Sequence, residues 1–421
     1  MELLIYLILF LLVLIVSSTT NKLLPFLPLP LVQILLGIVI GLFLPNTDFH
    51  LNTELFLALV IGPLLFRESE EADITAILKH WRIIIYLIFP VIFISTLSLG
   101  GLAHLLWLSL PLAACLAVGA ALGPTDLVAF ASLSERFSFP KRVSNILKGE
   151  GLLNDASGLV AFQVALTAWT TGAFSLGQAS SSLIFSILGG FLIGFLTAMT
   201  NRFLHSFLLS VRATDIASEL LLELSLPLVT FFLAEEVHVS GIIAVVVAGI
   251  LKASRFKKIT LLEAQVDTVT ETVWHTVNFM LNGSVFVILG MELEMIAEPI
   301  LTNPIYNPLL LLGSLIALTF VLFAIRFVMI YGYYAYRTRR LKKKLNKYMK
   351  DMLLLTFSGV KGTVSIATIL LIPSNLEQEY PLLLFLVAGV TLVSFLTGLL
   401  VLPHLSDEQE ESKDYLMHIA I

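Results

Sequence analysis

Apolar runs follow one another along almost the whole chain and are separated by short polar breaks. A helix that crosses a bilayer needs about 20 predominantly apolar residues, so each run is a candidate span. Thirteen spans are predicted, near residues 3–18, 24–44, 53–66, 83–105, 110–134, 146–171, 183–203, 216–235, 239–252, 267–296, 307–336, 352–372 and 382–403. The pattern predicts an all-α polytopic membrane protein with about 13 transmembrane helices.

The composition excludes the soluble classes of protein. Hydrophobic residues make up 57% of the 421 residues and charged residues only 13%, about half the roughly 25% of an ordinary soluble domain. A single cysteine, Cys115, excludes an intrachain disulfide, and the net charge of −5 argues against nucleic acid as a partner. The first run has no basic residue before Lys22 and no cleavage site, so we expect a retained helix rather than a signal peptide.

Basic residues alternate in step with the predicted spans. Of the 25 Lys and Arg residues, 23 lie in the breaks, at the span ends next to them, or in the tail, all on one side of the membrane, and none lies in the breaks on the other side. The positive-inside rule therefore predicts a cytoplasmic C-terminus and an N-terminus outside. Residues 1–403 are predicted to form one transmembrane domain, followed by a short cytoplasmic tail, 404–421.

Eight of these basic residues lie between Arg337 and Lys350. A basic run at the inner face of a membrane attracts anionic lipid, but it is also the ordinary signal that orients a span. We interpret the run as a topogenic loop and keep lipid binding as the alternative.

The two remaining basic residues, Arg326 and Lys361, lie inside predicted spans, and we place three acids at similar depth: Asp126, Glu150 and Asp155. We treat these five residues as the intramembrane charges. A charge at this depth is expensive, and it is usually paired or functional. These five residues are therefore the chemistry that the sequence offers.

The fifth span is interrupted near its middle by Gly123 and Pro124. Proline removes a backbone donor, and irregular backbone at membrane depth is tolerated where it lines a cavity. Thr125 can then offer its carbonyl or hydroxyl oxygen to a cation, and Asp126 can offset the positive end of the half-helix that follows. We prefer this interpretation to a simple proline kink.

The twelfth span is interrupted by Gly359 and Gly362, on either side of Lys361. At the C-terminal end of a half-helix, Lys361 would offset exposed carbonyl groups. Two interrupted helices, one in each half of the chain, are typical of transporters built from inverted repeats. We therefore predict inverted repeats, spans 1–6 and 8–13, with two broken helices that cross.

The sixth span opens with a segment that carries two of the acids. On a helix, Gly151, Asp155 and Gly158 share one face, beside a face with Glu150 and Asn154. The two glycines are expected to leave room for an ion next to Asp155. Its carboxylate can bind a hard cation or, in its place, a proton, and one site that holds either ion is the minimum requirement for exchange.

Arg326 lies in the middle of the eleventh span and cannot neutralise itself. It needs a buried anionic partner, and we assign Glu150 to it. This pairing leaves Asp155 free to titrate. The alternative is that Arg326 extends to the membrane interface.

These motifs, in this order and at this spacing, resemble the cation:proton antiporter family, in the branch with an Asn-Asp motif at the ion site. The family's TDPVA pattern resembles Thr125-Asp-Leu-Val-Ala129, its ESLLNDA resembles Glu150-Gly-Leu-Leu-Asn-Asp-Ala156, and its GLRGAVS resembles Gly359-Val-Lys-Gly-Thr-Val-Ser365. The resemblance covers nearly the whole chain.

The resemblance implies a homodimeric sodium/proton antiporter of the cell membrane, with a dimerisation part and a six-helix ion-translocating core that works by alternating access. It implies that Asp155 binds the proton and the sodium or lithium ion, with Thr125 as an auxiliary ligand and Asn154 and Asp126 beside them. It also implies a structural pair of Glu150 and Arg326 and electroneutral exchange. No cofactor is expected.

Three positions depart from the family pattern. Leu127 replaces a proline, Lys361 replaces an arginine and so loses bidentate geometry, and Gly151 replaces a serine that ligates the ion in the family. At Gly151 we expect either a water molecule in place of the hydroxyl or a changed ion preference. Glu68 is a further candidate, since some family members have a carboxylate near this position, with a loop residue in an acidic cluster as the alternative.

Other functions stay open as alternatives. Nothing in the predicted ligands excludes potassium, so a potassium/proton or broad monovalent cation/proton antiporter is the main alternative. Asp126 and Asp155 also suggest an intramembrane aspartyl protease, but the signatures of such proteases are missing from the sequence and Arg326 and Lys361 have no role in that chemistry. The sequence contains no repeated channel filter and no helical histidine pair for a metal, so we expect a transporter and not an enzyme.

Overall fold

The structure is a computed structural model that describes most of the chain. It covers residues 2–24, 29–43, 53–72, 74–126, 129–130, 133, 137–172, 176–211, 215–253, 261–302, 306–340, 342, 344–372 and 379–406. Over these residues the backbone is almost entirely helical and contains no β-strand. Leu127 and the predicted tail beyond Ser406 lie outside the described residues.

The helices follow the predicted apolar runs. They are α1 (Glu2–Leu23), α2 (Leu29–Phe43), α3 (Thr53–Phe56), α4 (Gly62–Glu70), α5 (Ile74–Lys79), α6 (Trp81–Tyr86), α7 (Ile92–Leu106), α8 (Leu112–Ala121), α9 (Lys141–Thr171), α10 (Leu176–Ser210), α11 (Ile216–Glu236), α12 (Gly241–Ala253), α13 (Leu261–Thr302), α14 (Pro308–Arg340), α15 (Met349–Phe357), α16 (Thr363–Ile369) and α17 (Tyr380–Leu405). By length and apolar composition, six helical segments of the described chain are long enough to cross a membrane. The predicted number of thirteen spans stays a prediction.

Two continuous helical segments contain a wider turn that the sequence analysis did not predict. A π-helical turn at Leu57–Ile61 joins α3 to α4, and another at Leu87–Val91 joins α6 to α7 around Pro90. A proline inside a helix removes one backbone donor and displaces the preceding turn. The second π-helical turn therefore has a local cause in the sequence.

The chain divides into two compact units. The first contains Met1–Thr47, Thr75–Ala173 and Phe286–Ile421, and the second contains Asp48–Ile74 and Phe174–Val285. The long helix α13 contributes to both. All five intramembrane charges predicted from the sequence belong to the first unit.

In the first unit, α7 and α8 pack closely because small residues face each other. A Cβ atom at Gly119 would lie 2.3 Å from the carbonyl oxygen of Thr96, and one at Gly100 would lie 2.8 Å from Cα of Leu116. Small residues let two membrane helices approach to backbone contact. This contact holds α8, the first half of one interrupted span, against a long continuous helix.

A cluster of buried apolar side chains in the first unit joins α9, α14 and α15. It includes Leu147 of α9, Ile330 of α14 and Leu355 of α15. Glu150 follows Leu147 by about one turn, and Arg326 precedes Ile330 by one turn. The cluster therefore holds α15 against the two helices whose next turns carry Glu150 and Arg326.

The second unit contains Glu68, the further carboxylate considered from the sequence. It is half-buried and lies within α4, which continues to Glu70. The alternative that Glu68 lies in a loop is wrong, because the apolar run continues as helix through this acidic segment. Near the end of α4, Glu70 forms an ion pair with Lys252, with 3.3 Å between Oε1 and Nζ. The same Nζ lies 2.8 Å from Oε2 of Glu223.

Candidate ion-binding site

The two interrupted spans meet through their backbones. Helix α8 ends at Ala121, and helical backbone resumes at Ala129; between them, the Asp126 amide donates to the Val360 carbonyl oxygen at 3.1 Å. Val360 lies in the second interruption, between the end of α15 and the start of α16. The predicted pair of interrupted helices is therefore present, and their irregular segments are in direct contact.

Asp126 caps two helices at this meeting point. Its Oδ1 accepts the amide of Ala129 at 2.7 Å, and its Oδ2 accepts the amide of Val364 near the start of α16 at 3.3 Å. A carboxylate at a helix N-terminus is stabilised by free amide groups and by the helix dipole. The sequence predicted this role for the helix that follows Asp126, but it gave no indication of the second helix.

Lys361 has the opposite role at the C-terminal end of α8. Its Nζ donates to the carbonyl oxygens of Gly123 at 2.8 Å and Pro124 at 2.5 Å, and its side chain is buried. The backbone amide of Lys361 donates to Ser394 on α17 at 3.1 Å. Lys361 thus offsets carbonyl groups as predicted, but these groups belong to the other interrupted span.

Glu150 and Arg326 form a buried bidentate ion pair. Arg326 Nη1 lies 2.6 Å from Glu150 Oε1, and Nη2 lies 2.8 Å from Oε2. Both side chains are almost completely buried, at 2% and 4% exposure, and Arg326 Nε also donates to the Leu355 carbonyl oxygen at 3.0 Å. The structure therefore brings together the two residues that the sequence analysis paired, and Arg326 is held inside the protein rather than at the membrane interface.

Gly359 is a site residue that sequence reasoning missed. A Cβ atom at this position would lie 2.3 Å from Arg326 Nε and 2.6 Å from its Cζ. The guanidinium group therefore occupies the space that any side chain at this position would need. In the sequence, Gly359 was interpreted only as one of the two glycines that interrupt the helix, and nothing local indicates its contact with α14.

Thr125 and Asn154 extend the ion pair by two hydrogen bonds. The Thr125 hydroxyl donates to Glu150 Oε1 at 2.6 Å, and Asn154 Nδ2 donates to Thr125 Oγ1 at 2.6 Å. Asn154 is fully buried, and its Oδ1 has no hydrogen-bond partner among the described residues. A buried carbonyl oxygen without a donor is a ready ligand for a cation, because its desolvation is otherwise uncompensated.

Asp155 follows Asn154 on α9, but its side chain lies outside the described residues. Gly151, one turn earlier, is buried. The expectation that Gly158 leaves room for an ion is wrong, because a Cβ atom there would lie 2.0 Å from Cγ of Pro124. Gly158 instead allows the proline of the first interruption to pack directly against α9.

Together, the fold and the site define a polytopic helical membrane protein in which two interrupted helices meet at a buried charge network. A profile of the family described as "Sodium/hydrogen exchanger, transmembrane" matches residues 7–406. The chain belongs to this family. The resemblance seen in the sequence is thereby confirmed, and the prediction of a transporter rather than an enzyme agrees with it.

Two relatives from Bacillus species have the same name. The chain is 34% identical over 412 residues to the "Sodium, potassium, lithium and rubidium/H(+) antiporter" of Bacillus pumilus. The aligned region covers 96% of this chain and 61% of the relative. It is 35% identical over 400 residues to the protein of that name in Bacillus subtilis, with 93% and 60% covered. The chain thus spans about three fifths of the length of these two relatives.

The chain is also similar to an Escherichia coli protein and to a solved structure. The chain is 31% identical over 424 residues to the "Uncharacterized Na(+)/H(+) exchanger YjcE" of Escherichia coli, with 96% of this chain and 76% of the relative covered. It superposes on the structure of the sodium proton antiporter MjNhaP1 from Methanocaldococcus jannaschii with a TM-score of 0.69 and 19% identity, covering 96% of this chain and 98% of that chain. This likeness confirms the predicted fold class.

Proposed function

We propose that the protein exchanges a monovalent cation, with sodium as the first candidate and lithium as the next, for a proton across the membrane. Asp155 is the group that binds either ion. The observation that carries the proposal is the buried network of Arg326, Glu150, Thr125 and Asn154, which ends at the residue directly before Asp155.

The charge inventory supports this role for Asp155. Arg326 neutralises Glu150 in a bidentate pair, and Lys361 and Asp126 offset opposite helix ends on the two interrupted spans. The five intramembrane residues carry two positive and three negative charges, which leaves one negative charge for Asp155. A single proton or a single monovalent cation neutralises it.

This balance couples the two ions. An ionised carboxylate without a counter-charge is costly to move through a low-dielectric environment, so the empty site changes sides less readily than the loaded site. The proton and the cation compete for the same carboxylate, and each is released on the side where the other is abundant. Alternating access of the site then gives exchange of one cation for one proton without net charge movement.

Oxygen ligands are available beside Asp155. The Thr125 hydroxyl donates one hydrogen bond and accepts one, which leaves it one lone pair, and Asn154 Oδ1 is buried without a partner among the described residues. Hard monovalent cations prefer such oxygen donors. Asp126 supports the site indirectly, because it caps the helix ends next to it. Water fills the position of the missing hydroxyl at Gly151.

The same proposal includes the assembly and the membrane setting. We expect a homodimer in the cell membrane, with the N-terminus outside and the C-terminus in the cytoplasm. The arrangement of a dimerisation part and a six-helix core follows from the resemblance described above. Cysteine accessibility at each end of the chain tests the orientation.

A broad monovalent cation/proton antiporter is the second candidate. It is favoured by the names of the two Bacillus relatives, which include potassium and rubidium among the exchanged cations. The loss of a hydroxyl at Gly151 points in the same direction, because a site with water in place of a fixed ligand discriminates less strictly by ion size.

Proton flux in proteoliposomes tests the function. Purified protein is reconstituted, and sodium, lithium, potassium and rubidium are added in turn against a pH gradient. Asp155→Asn should abolish the response, while the matched variant Asp351→Asn, which lies before the twelfth predicted span, should retain it. Exchange at wild-type rates by Asp155→Asn would contradict the proposed mechanism, and a response to all four cations would select the second candidate.

A further inference from the structure

The peptide group between Val360 and Lys361 is held from both sides. Its carbonyl oxygen, which belongs to Val360, accepts the amide of Asp126 at 3.1 Å. Its N–H, which belongs to Lys361, donates to Oγ of Ser394 at 3.1 Å. Asp126 lies in the first interruption, and Ser394 lies on the continuous helix α17. A single peptide group of the second interruption therefore connects the first interruption to α17.

The hydrogen bond to Ser394 takes the place of a helical one. Helix α15 ends at Phe357 and α16 begins at Thr363, so the amide of Lys361 lies outside both helices. A buried backbone amide without an acceptor is costly at membrane depth. Ser394 is fully buried, and its hydroxyl also donates to the carbonyl oxygen of Thr391 at 2.8 Å. The hydroxyl therefore supplies the acceptor for the amide and is itself oriented by the preceding turn of α17.

These hydrogen bonds form one continuous chain. It starts at the amide of Asp126 and passes through the peptide of Val360 and Lys361. It then continues through the hydroxyl of Ser394 to the carbonyl oxygen of Thr391. Hydrogen bonds in series polarise one another, so the loss of one weakens the next. We therefore expect a change at Ser394 to affect the contact between the two interruptions.

The same face of α17 also makes room for Val360. Gly398 lies one turn after Ser394 on this face. A Cβ atom at Gly398 would lie 2.8 Å from Cγ1 of Val360 and 3.3 Å from the carbonyl oxygen of Phe357. Both Gly398 and Val360 are buried. A hydroxyl and a glycine, one turn apart, thus fit the second interruption through two separate contacts.

The peptide group held in this way carries the side chain that reaches the first interruption. Lys361 Nζ donates to the carbonyl oxygens of Gly123 and Pro124. The carbonyl group of Pro124 belongs to the peptide that leads into Thr125, whose hydroxyl donates to Glu150 at 2.6 Å. A displacement of the Lys361 backbone would therefore also displace the hydroxyl of Thr125.

We propose that Ser394 is a positioning residue for cation binding. It holds the peptide of Val360 and Lys361, and through Lys361 it fixes the Thr125 oxygen that binds the cation next to Asp155. The inference rests on the proposed exchange at Asp155. A hard cation needs several oxygen ligands in place, whereas a proton needs only the carboxylate. Loss of the Ser394 hydroxyl therefore weakens cation binding and leaves proton binding unchanged.

Sodium-driven proton flux in proteoliposomes separates these effects when KM and maximal rate are measured over a series of pH values. The loss of one net hydrogen bond changes the population of the arranged site by about fivefold, so Ser394→Ala should raise the KM for sodium by about this factor at every pH. The pH above which KM levels off should not move, because it reports proton binding. A merely structural role would lower the maximal rate and leave KM unchanged.

Three further variants locate the effect. Gly398→Ala presses on Val360 from the same face and should also raise KM, so it repeats the test with the Ser394 hydroxyl in place. Thr397→Ala removes a hydroxyl that donates to the Val393 carbonyl oxygen of the same helix, and Gly332→Ala adds a methyl group in open space on α14. These two matched controls should retain the wild-type KM.

A second measurement does not depend on transport. Hydrogen–deuterium exchange at the Lys361 amide should be faster in Ser394→Ala than in the wild-type protein and in Thr397→Ala. Unchanged exchange would overturn the proposal, and so would a lower maximal rate at unchanged KM. A wild-type protein without cation-driven proton flux would instead contradict the proposed function, and the exchange rates would still decide whether Ser394 holds this amide.

Discussion

Removal of one partner of the Glu150–Arg326 pair should destabilise the protein strongly. The two nitrogen–oxygen distances are 2.6 and 2.8 Å, and the side chains are 2% and 4% exposed. At this burial, the remaining partner loses its counter-charge and has no access to water. Stranding one member of such a pair costs about 3–5 kcal/mol, so Arg326→Ala and Glu150→Ala should each lower the free energy of unfolding by about this amount.

The structure also predicts how the two changes combine. In the double variant no buried charge is left without a partner, so part of the loss should be recovered, with a coupling energy of about 0.5–3 kcal/mol. The loss should not be recovered completely, because Arg326 also donates to the Leu355 carbonyl oxygen and Glu150 accepts from Thr125.

Thermal unfolding in detergent and unfolding by steric trapping in bicelles measure these changes. Arg337→Ala provides a matched control, since Arg337 is exposed on the same helix and such surface changes fall within about 0.5 kcal/mol. Additive losses in the double variant would refute the pairing. A loss at Arg326 no larger than that at Arg337 would show that the guanidinium group is not buried as described.

Three further changes test individual contacts. Gly359→Ala should lower thermal stability and expression, because its methyl group would meet Nε of Arg326 at 2.3 Å; a wild-type Tm would contradict this packing. Lys361→Met should cost about 1–3 kcal/mol for each carbonyl oxygen that loses its donor, measured by the same unfolding assay, and an unchanged stability would show that water replaces the ammonium group. Gly151→Ser should raise the apparent sodium affinity in the flux assay, because it restores a hydroxyl one turn before Asp155; an unchanged affinity would mean that the residue at this position does not contact the ion.

The buried charges were predictable because the bilayer makes them rare. An arginine and a glutamate at membrane depth need a partner, so few pairings were available for Arg326, and the chosen one is present. The two interruptions were predictable for a similar reason, since proline and paired glycines seldom occur in the middle of an apolar span without a structural cause. In both cases the free-energy cost of an unpaired charge or an unpaired backbone group in the bilayer leaves few possible structures.

Contacts between distant segments were less predictable. The sequence placed Lys361 at a helix end but did not indicate that the carbonyl groups are those of Gly123 and Pro124. Gly158 was expected to provide space for an ion, whereas it accommodates Pro124. A glycine leaves room on one side of a helix, and only the three-dimensional packing determines whether an ion, a water molecule or a neighbouring ring occupies that room.

The pH dependence of cation affinity tests the central claim most directly. If one proton and one cation compete for Asp155, linkage requires the apparent cation affinity, measured by flux in proteoliposomes, to rise by about tenfold per pH unit while the carboxylate is protonated and then to level off. We predict this slope for the wild-type protein. An affinity that does not change with pH would contradict competition at one site, and a rise approaching a hundredfold per pH unit would show that a second proton is exchanged.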